Sequence, residues 1–263
     1  MFGKSTERLL QMDKTVRSYL VQRLLPLIKC EISACRMSIP LDGLNAFVRI
    51  VQTDDGRGFV VRVLPKSARK QLRSLRATHN LLREKGVAIP EVVDYAEKYS
   101  KGGICIYTEQ FIEGNTLAQT PLDPATIPQL AALMAPLHQA KSTAWGEPKH
   151  PQTGSFADFE QRQALGRLRS IKKRLRRGTA TLELGTIAEW FEGEKYRLMQ
   201  IDEFNLTHND INPGNLMWSE KEGRYYLLDL GLIRYGTRAK DLVSLHHRIL
   251  ASDPEQIAEF EGI

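Results

Sequence analysis

The chain has 263 residues, 42% of them hydrophobic, 26% charged and 8% aromatic, which is enough apolar material for a sizeable core and excludes disorder of the whole chain. Nineteen glycines and twelve prolines in no repeating pattern exclude collagen-like and low-complexity classes. Thirty-seven Lys and Arg against thirty-one Asp and Glu give a net charge of +6, which favours acidic partners but suits a nucleotide, a nucleic acid or an anionic membrane surface equally.

Residues 5–30, STERLLQMDKTVRSYLVQRLLPLIKC, space Leu9, Leu10, Met12, Val16, Leu20, Leu24 and Leu25 as an amphipathic helix weakened at Pro26. ACRMSIP, AFVRIVQ and FVVRVLP then read as a β-meander, the last two runs flanking a turn rich in Asp and Gly. Residues 67–85 carry Leu72, Leu75, Leu81 and Leu82 on one helical face, with Gly86 as the stop. Two further strands follow around SKGG, so residues 34–111 are expected to form a five-stranded antiparallel sheet with one helix inserted after the third strand.

Beyond Gly114 the texture becomes helical, in IPQLAALMAPLHQAKS, FADFEQRQALGRLRSIKKRLRR and LGTIAEWFEGEKYRLMQI. This predicts a boundary between an N-terminal lobe, residues 1–111, and a helical lobe, residues 112–263. The polar stretch THNDINPGN is followed by two short strands, LMW and YYLLDLG. AKDLVSLHHRIL reads as one more helix, on which the adjacent His246 and His247 cannot share a metal.

Phosphoryl transfer needs a group that orients a hydroxyl and hard oxygen ligands that hold Mg²⁺ against phosphates. Asp210 on the polar loop, Asn215 five positions later and Asp229 at the end of an apolar strand supply those groups. HNDINPGN followed by LLDLG resembles the catalytic and metal-binding segments of the aminoglycoside phosphotransferase and choline kinase group, the small-molecule branch of the protein-kinase-like fold. GLNAFVRIVQTDDGRGFVVRVLP, GVAIPEVV, IYTEQFIEGNTL and LMAPLHQAKS are similar, in order, to its nucleotide-covering loop and next strands, the segment after its first-lobe helix, its hinge and the helix that opens its second lobe. The resemblance spans residues 40–245.

It implies a two-lobed α+β fold and an ATP- and Mg²⁺-dependent phosphotransferase acting on a small-molecule hydroxyl acceptor. Asp210 would be the catalytic base and His208 its brace in the catalytic pair, with Asn215 and Asp229 as metal ligands. Gly43 to Ala46, including Asn45, would cover the phosphates, and the hinge backbone at Glu109 to Phe111 would meet the adenine edge. The family's third-strand lysine, which touches the α- and β-phosphates, is replaced by Arg62, a planar and longer fork. Its usual partner, a helix glutamate, is missing from SARKQLRSLRATHNLL. Another carboxylate fixes Arg62, or Arg62 binds phosphate unaided, or the site has lost competence; the last option leaves a catalytically weak, pseudokinase-like nucleotide-binding module as the alternative function.

The basic run at residues 167–177 reads first as a solvated helix face, and in the resemblance it helps wall the acceptor site. Because no aromatics are interleaved with its charges and no nucleic-acid motif is present, no nucleic-acid partner is expected. Cys30, Cys35 and Cys105 cannot all pair within one chain, and charges fill the start where a signal peptide would be apolar, so a cytoplasmic setting without a transmembrane segment is expected. The short stretch after Asp229 implies an acceptor wall cut short at the C-terminus. Neither the acceptor's identity nor the oligomeric state is legible.

Overall fold

The apolar-periodic opening folds as helix α1 (Thr6–Tyr19), a wide π turn (Leu20–Leu24) and a last turn α2 (Leu25–Ile28), closed by Lys29 in the left-handed conformation. The weak point at Pro26 shows as that wide turn. A proline offers no N–H to the ladder and its ring crowds the turn before it, so the spacing opens just ahead, where Leu25 N–H reaches back to Leu20 O. This computed structural model describes residues 6–39, 47–99, 103–120, 123, 125–175 and 184–248.

Strands β1 (Cys35–Ser38), β2 (Phe47–Thr53) and β3 (Gly58–Leu64), helix α3 (Arg69–Glu84), and strands β4 (Val92–Tyr99) and β5 (Ile104–Gln110) build one antiparallel sheet in the order β1-β2-β3-β5-β4. Alternation along β3 assigns its two faces: Phe59, Val61 and Val63 are buried under the leading helix, and Val60 and Arg62 point the other way. On that second face Leu72 of α3 packs on Cys105 and Tyr107.

The leading helix docks through Val16, Tyr19, Leu20 and Leu24, all buried, each contributing ~1.5–3 kcal/mol. Its ion pair between Arg23 and Asp94, at 2.5 Å with Arg23 half exposed, adds at most ~1 kcal/mol. The apolar stripe therefore decides the docking.

The second body comprises β6 (Asn115–Thr116), α4 (Thr126–Gln139), β7 (Lys141–Ser142), β8 (Trp145–Glu147), β9 (His150–Gln152), α5 (Phe156–Leu175), α6 (Leu184–Met199), β10 (Phe204–Thr207), β11 (Leu216–Ser219), β12 (Arg224–Leu227), β13 (Arg234–Gly236) and α7 (Ala239–Arg248). Helices and one hairpin were the expectation. The structure adds a second five-stranded sheet, β7-β10-β13-β8-β9, and joins β6 to the hairpin β11–β12. Strands of two to four residues are too short for an alternation signal. Leu130, Leu137, Leu206, Leu216 and Leu227 form its core, which Leu82 of α3 joins from the first lobe.

The turn at residues 100–102, Gly43 and Asn45, and the side chains of residues 171–177 in the basic run lie outside the described residues. Among the described residues no helix is long and apolar enough to cross a membrane.

Candidate active site

Strands β11 and β12 pair with Leu216 opposite Leu227, so the residues just outside this rung stand side by side. Leu228 N–H donates to Asn215 O at 2.9 Å, and Asp229 follows immediately. One hairpin register thus brings together two segments fourteen residues apart in sequence. Asp229 has φ +53°, a left-handed conformation that Asp tolerates better than most residues. From there the chain turns into the short 3₁₀ segment Leu230–Leu232.

Asp210 is held against Asn215 from the loop side. The Asn215 amide nitrogen donates to Asp210 O at 2.9 Å and to its carboxylate Oδ2 at 3.4 Å, which turns the amide oxygen of Asn215 away from Asp210. Asn212 caps the loop's single 3₁₀ turn by accepting from Gly214 N–H at 3.0 Å, and its own amide donates to Asp210 O at 3.0 Å. Asp210, Asn215 and Asp229 therefore share one end of one hairpin.

His208 is fully buried and its Nε2 donates to Leu228 O at 2.9 Å, tying the loop to the residue before Asp229. It ties the loop down from a position shut off from solvent, whereas Asp210, the other residue expected in the catalytic pair, is partly exposed. Beneath the loop, Asp241 at the start of α7 accepts from His208 N–H at 2.7 Å, Asn209 N–H at 2.8 Å and His138 Nε2 at 3.1 Å. Asn209 sits at φ +66°, with its amide on Thr207 Oγ1 at 2.8 Å. A buried carboxylate that accepts two backbone N–H groups fixes the direction in which Asp210 leaves the loop.

Arg62 faces this end of the hairpin from β3. Its Nε and Nη2 donate to Glu109 Oε1 at 3.0 and 2.9 Å. Burial works against the Arg62 charge, but Glu109, Tyr107 and Asp229 outweigh it and hold the guanidinium above its ordinary range. The carboxylate that fixes Arg62 therefore comes from the neighbouring strand of the sheet, and Asp229 is close enough to feel the cation from the other lobe.

The hinge differs from the expectation in detail. Glu109 lies inside the β5 ladder opposite Val60 and spends its side chain on Arg62, so its backbone does not face an adenine edge. Phe111 N–H donates to Gly58 O at 2.9 Å and Gln110 N–H to Glu91 O at 2.7 Å. Among the described residues Ile112 and Glu113 donate no backbone hydrogen bond. Gly58 is required where it stands, because a Cβ there would lie 2.9 Å from that of Phe111.

Two residues that support the site went unread in the sequence. Tyr107 donates to the second oxygen of Glu109, and His79 of α3 lies 3.1 Å from the Tyr107 hydroxyl. The available signal was the alternation in ICIYTEQ, which puts Tyr107 and Glu109 on one face of a strand next to Arg62.

The sequence matches the family model described as the phosphotransferase enzyme family over residues 39–262. No curated protein matches it. Among solved structures, the putative fructosamine-3-kinase of Haemophilus somnus 129PT superposes with a TM-score of 0.62 at 15% identity, covering 88% of this chain and 80% of that one. A thermostable mutant of aminoglycoside phosphotransferase APH(4)-Ia, in a ternary complex with AMP-PNP and hygromycin B, gives 0.60 at 17% identity, covering 92% and 81%. Spectinomycin phosphotransferase APH(9)-Ia, in complex with ADP and spectinomycin, gives 0.55 at 16% identity, covering 91% and 78%. These likenesses identify the two-lobed kinase-like fold, and the family match over most of the length carries the assignment further: the chain belongs to the phosphotransferase enzyme family, small-molecule kinases that pass a phosphoryl group to a hydroxyl.

Proposed function

We propose that the chain uses ATP and Mg²⁺ to phosphorylate a hydroxyl of a small molecule of aminoglycoside-, choline- or sugar-like character. The observation that carries this reading is the convergence of Asp210, Asn215 and Asp229 at one end of the β11–β12 hairpin, with Arg62 of β3 within electrostatic reach of Asp229. Their donor set suits Mg²⁺, which takes hard oxygen ligands and completes its shell with phosphates and water. Among the described residues no group of three or more His, Cys, Asp or Glu offers a closed all-protein site. Bound there, the cation would neutralise charge on the transferring phosphate.

The chain's own residues would do the rest. Asp210 would orient the acceptor hydroxyl and accept its proton, from a loop held rigid by Asp241 and His208. Arg62 would place a guanidinium against the phosphates, and the backbone at Ile112 and Glu113 would meet the base. We assign the chain to the cytoplasm.

The test is ADP formation from ATP and Mg²⁺ with a panel of aminoglycosides, choline and sugars. Acceptor-dependent ADP release is expected, and Asp210→Asn should lower it by ~10²–10⁴-fold. Equal release by the variant would remove Asp210 from its role, and no release with any acceptor would leave the reading without support.

A further inference from the structure

Helix α3 presents no acidic side chain before its last residue, Glu84, yet the cation on β3 is held. It is held by a continuous chain of hydrogen bonds. Arg62 donates twice to Glu109 Oε1, Tyr107 donates to Glu109 Oε2, and the far end is His79 Nε2 at 3.1 Å from the Tyr107 oxygen. Glu109, Tyr107 and His79 are 8%, 3% and 1% exposed, whereas the Arg62 side chain keeps 36%. Only the Arg62 end is open to solvent.

The directions of these bonds assign the protons. Tyr107 has one O–H and gives it to the carboxylate, so its oxygen accepts from His79, which must be the Nε2–H tautomer. Burial, reinforced by Arg83, lowers the His79 pKa to about 4, so the ring is neutral at pH 7. Burial also pushes the Tyr107 hydroxyl well above its ordinary range, which keeps it a donor. The chain is thus one cation, one anion and two neutral groups, with every bond pointing towards Glu109.

Topology gives this a consequence. A carboxylate on a helix can leave a strand cation whenever the helix shifts. Glu109 and Arg62 instead lie on adjacent strands, on the same face, with Arg62 opposite Tyr107 and Val60 opposite Glu109. Separating them means breaking the ladder. The pair leaves Arg62 Nη1 outside the bonds to Glu109, on a cation that already feels Asp229.

Resting on the phosphotransferase reading above, we propose that Glu109 is the positioning residue that aims Arg62 at the nucleotide phosphates, with Tyr107 and His79 as its support. The helix glutamate of related kinases is thereby replaced by a strand carboxylate, and α3 contributes a neutral histidine to hold it. The phosphate-binding cation is set before nucleotide arrives and does not depend on closure of α3.

The test is a double-mutant cycle on nucleotide affinity. The Kd of the whole chain for MgATP is measured for wild type, Glu109→Gln, Arg62→Gln and the double variant, together with KM for ATP and kcat. Glu109→Gln should weaken MgATP at least about tenfold and raise KM more than it lowers kcat, and the effect should vanish in the Arg62→Gln background. Equal losses in both backgrounds would mean that Glu109 acts only on stability, and an unchanged Kd would likewise overturn the inference. Should Glu109→Gln not fold, Tyr107→Phe decides: it removes one hydroxyl and should weaken MgATP several-fold, whereas an unaltered Kd would sink the proposal. Failure of wild type to bind MgATP at all would instead overturn the proposed function.

Discussion

The carbonyl of Asn215 accepts the amide of Leu228 at 2.9 Å, one residue before Asp229. This single bond continues the β11–β12 ladder past its last rung and sets the distance between the two candidate metal ligands. The site is therefore only as rigid as the hairpin, which is buried through Leu216 and Leu227.

Asp229 tests the metal assignment, and the choice of replacement matters. At φ +53° alanine would add backbone strain of ~1 kcal/mol, whereas asparagine tolerates the left-handed region. Asp229→Asn is thus expected to fold normally while Mg²⁺-dependent ATP binding weakens by at least about tenfold. Titration of ATP with and without Mg²⁺ checks this; a variant that keeps the full magnesium effect would exclude Asp229 as a ligand.

Asp241 touches no reactant but carries the loop. Asp241→Asn puts an amide where a buried carboxylate accepts two N–H groups and His138 Nε2. One bond becomes a donor–donor clash, so stability should fall by ~2–4 kcal/mol and kcat should drop with it. Chemical denaturation and turnover on the same sample measure both, and a variant unchanged in the two would refute the brace.

His79 makes a pH prediction with a definite sign. Its folded pKa, about 4, lies below the ordinary 6.5, so between those values the unfolded chain binds a proton that the folded chain refuses. The contribution is complete above pH 6.5 and is lost as pH falls towards 4, on the order of 3 kcal/mol in total. Arg83 adds to the burial in this direction, Tyr107 accepts from Nε2, and Nδ1 is buried without a hydrogen-bond partner. Unfolding free energies at pH 7 and pH 4.5 for wild type and His79→Gln should show a shallower acid loss in the variant; parallel curves would contradict the assignment.

Gly114 sits where the chain leaves the first sheet. A Cβ at this position would lie 1.8 Å from Trp218 O on β11, closer than any side chain permits. Gly114→Ala must push apart the β6–β11 pairing that joins the hinge to the β11–β12 hairpin. A loss of several kcal/mol is expected, read as a lowered melting temperature, and a variant as stable as wild type would show that the junction can yield.

Much of this was legible in the residues themselves. The first sheet, its inserted helix and the hairpin at the end were readable because strands of seven or eight residues show alternation and α3 shows a 3.6-residue period. Asp210, Asn215 and Asp229 stood out because their types and order match a chemistry that needs one base and two hard oxygens. The second sheet left no such trace: its strands are short, and their partners, such as Leu206 with Tyr235, are far apart in sequence.

The sequence by itself determined which side chains are available for phosphoryl transfer and that α3 lacks the expected acid, since both are matters of composition and local order. Only the tertiary structure decided that Glu109 holds Arg62, that His208 and Asp241 serve as braces, and that the N–H groups of Gln110 and Phe111 are already spent. Each of these depends on strand register and on contacts across the chain, and a one-residue change of register would send every such side chain to the opposite face.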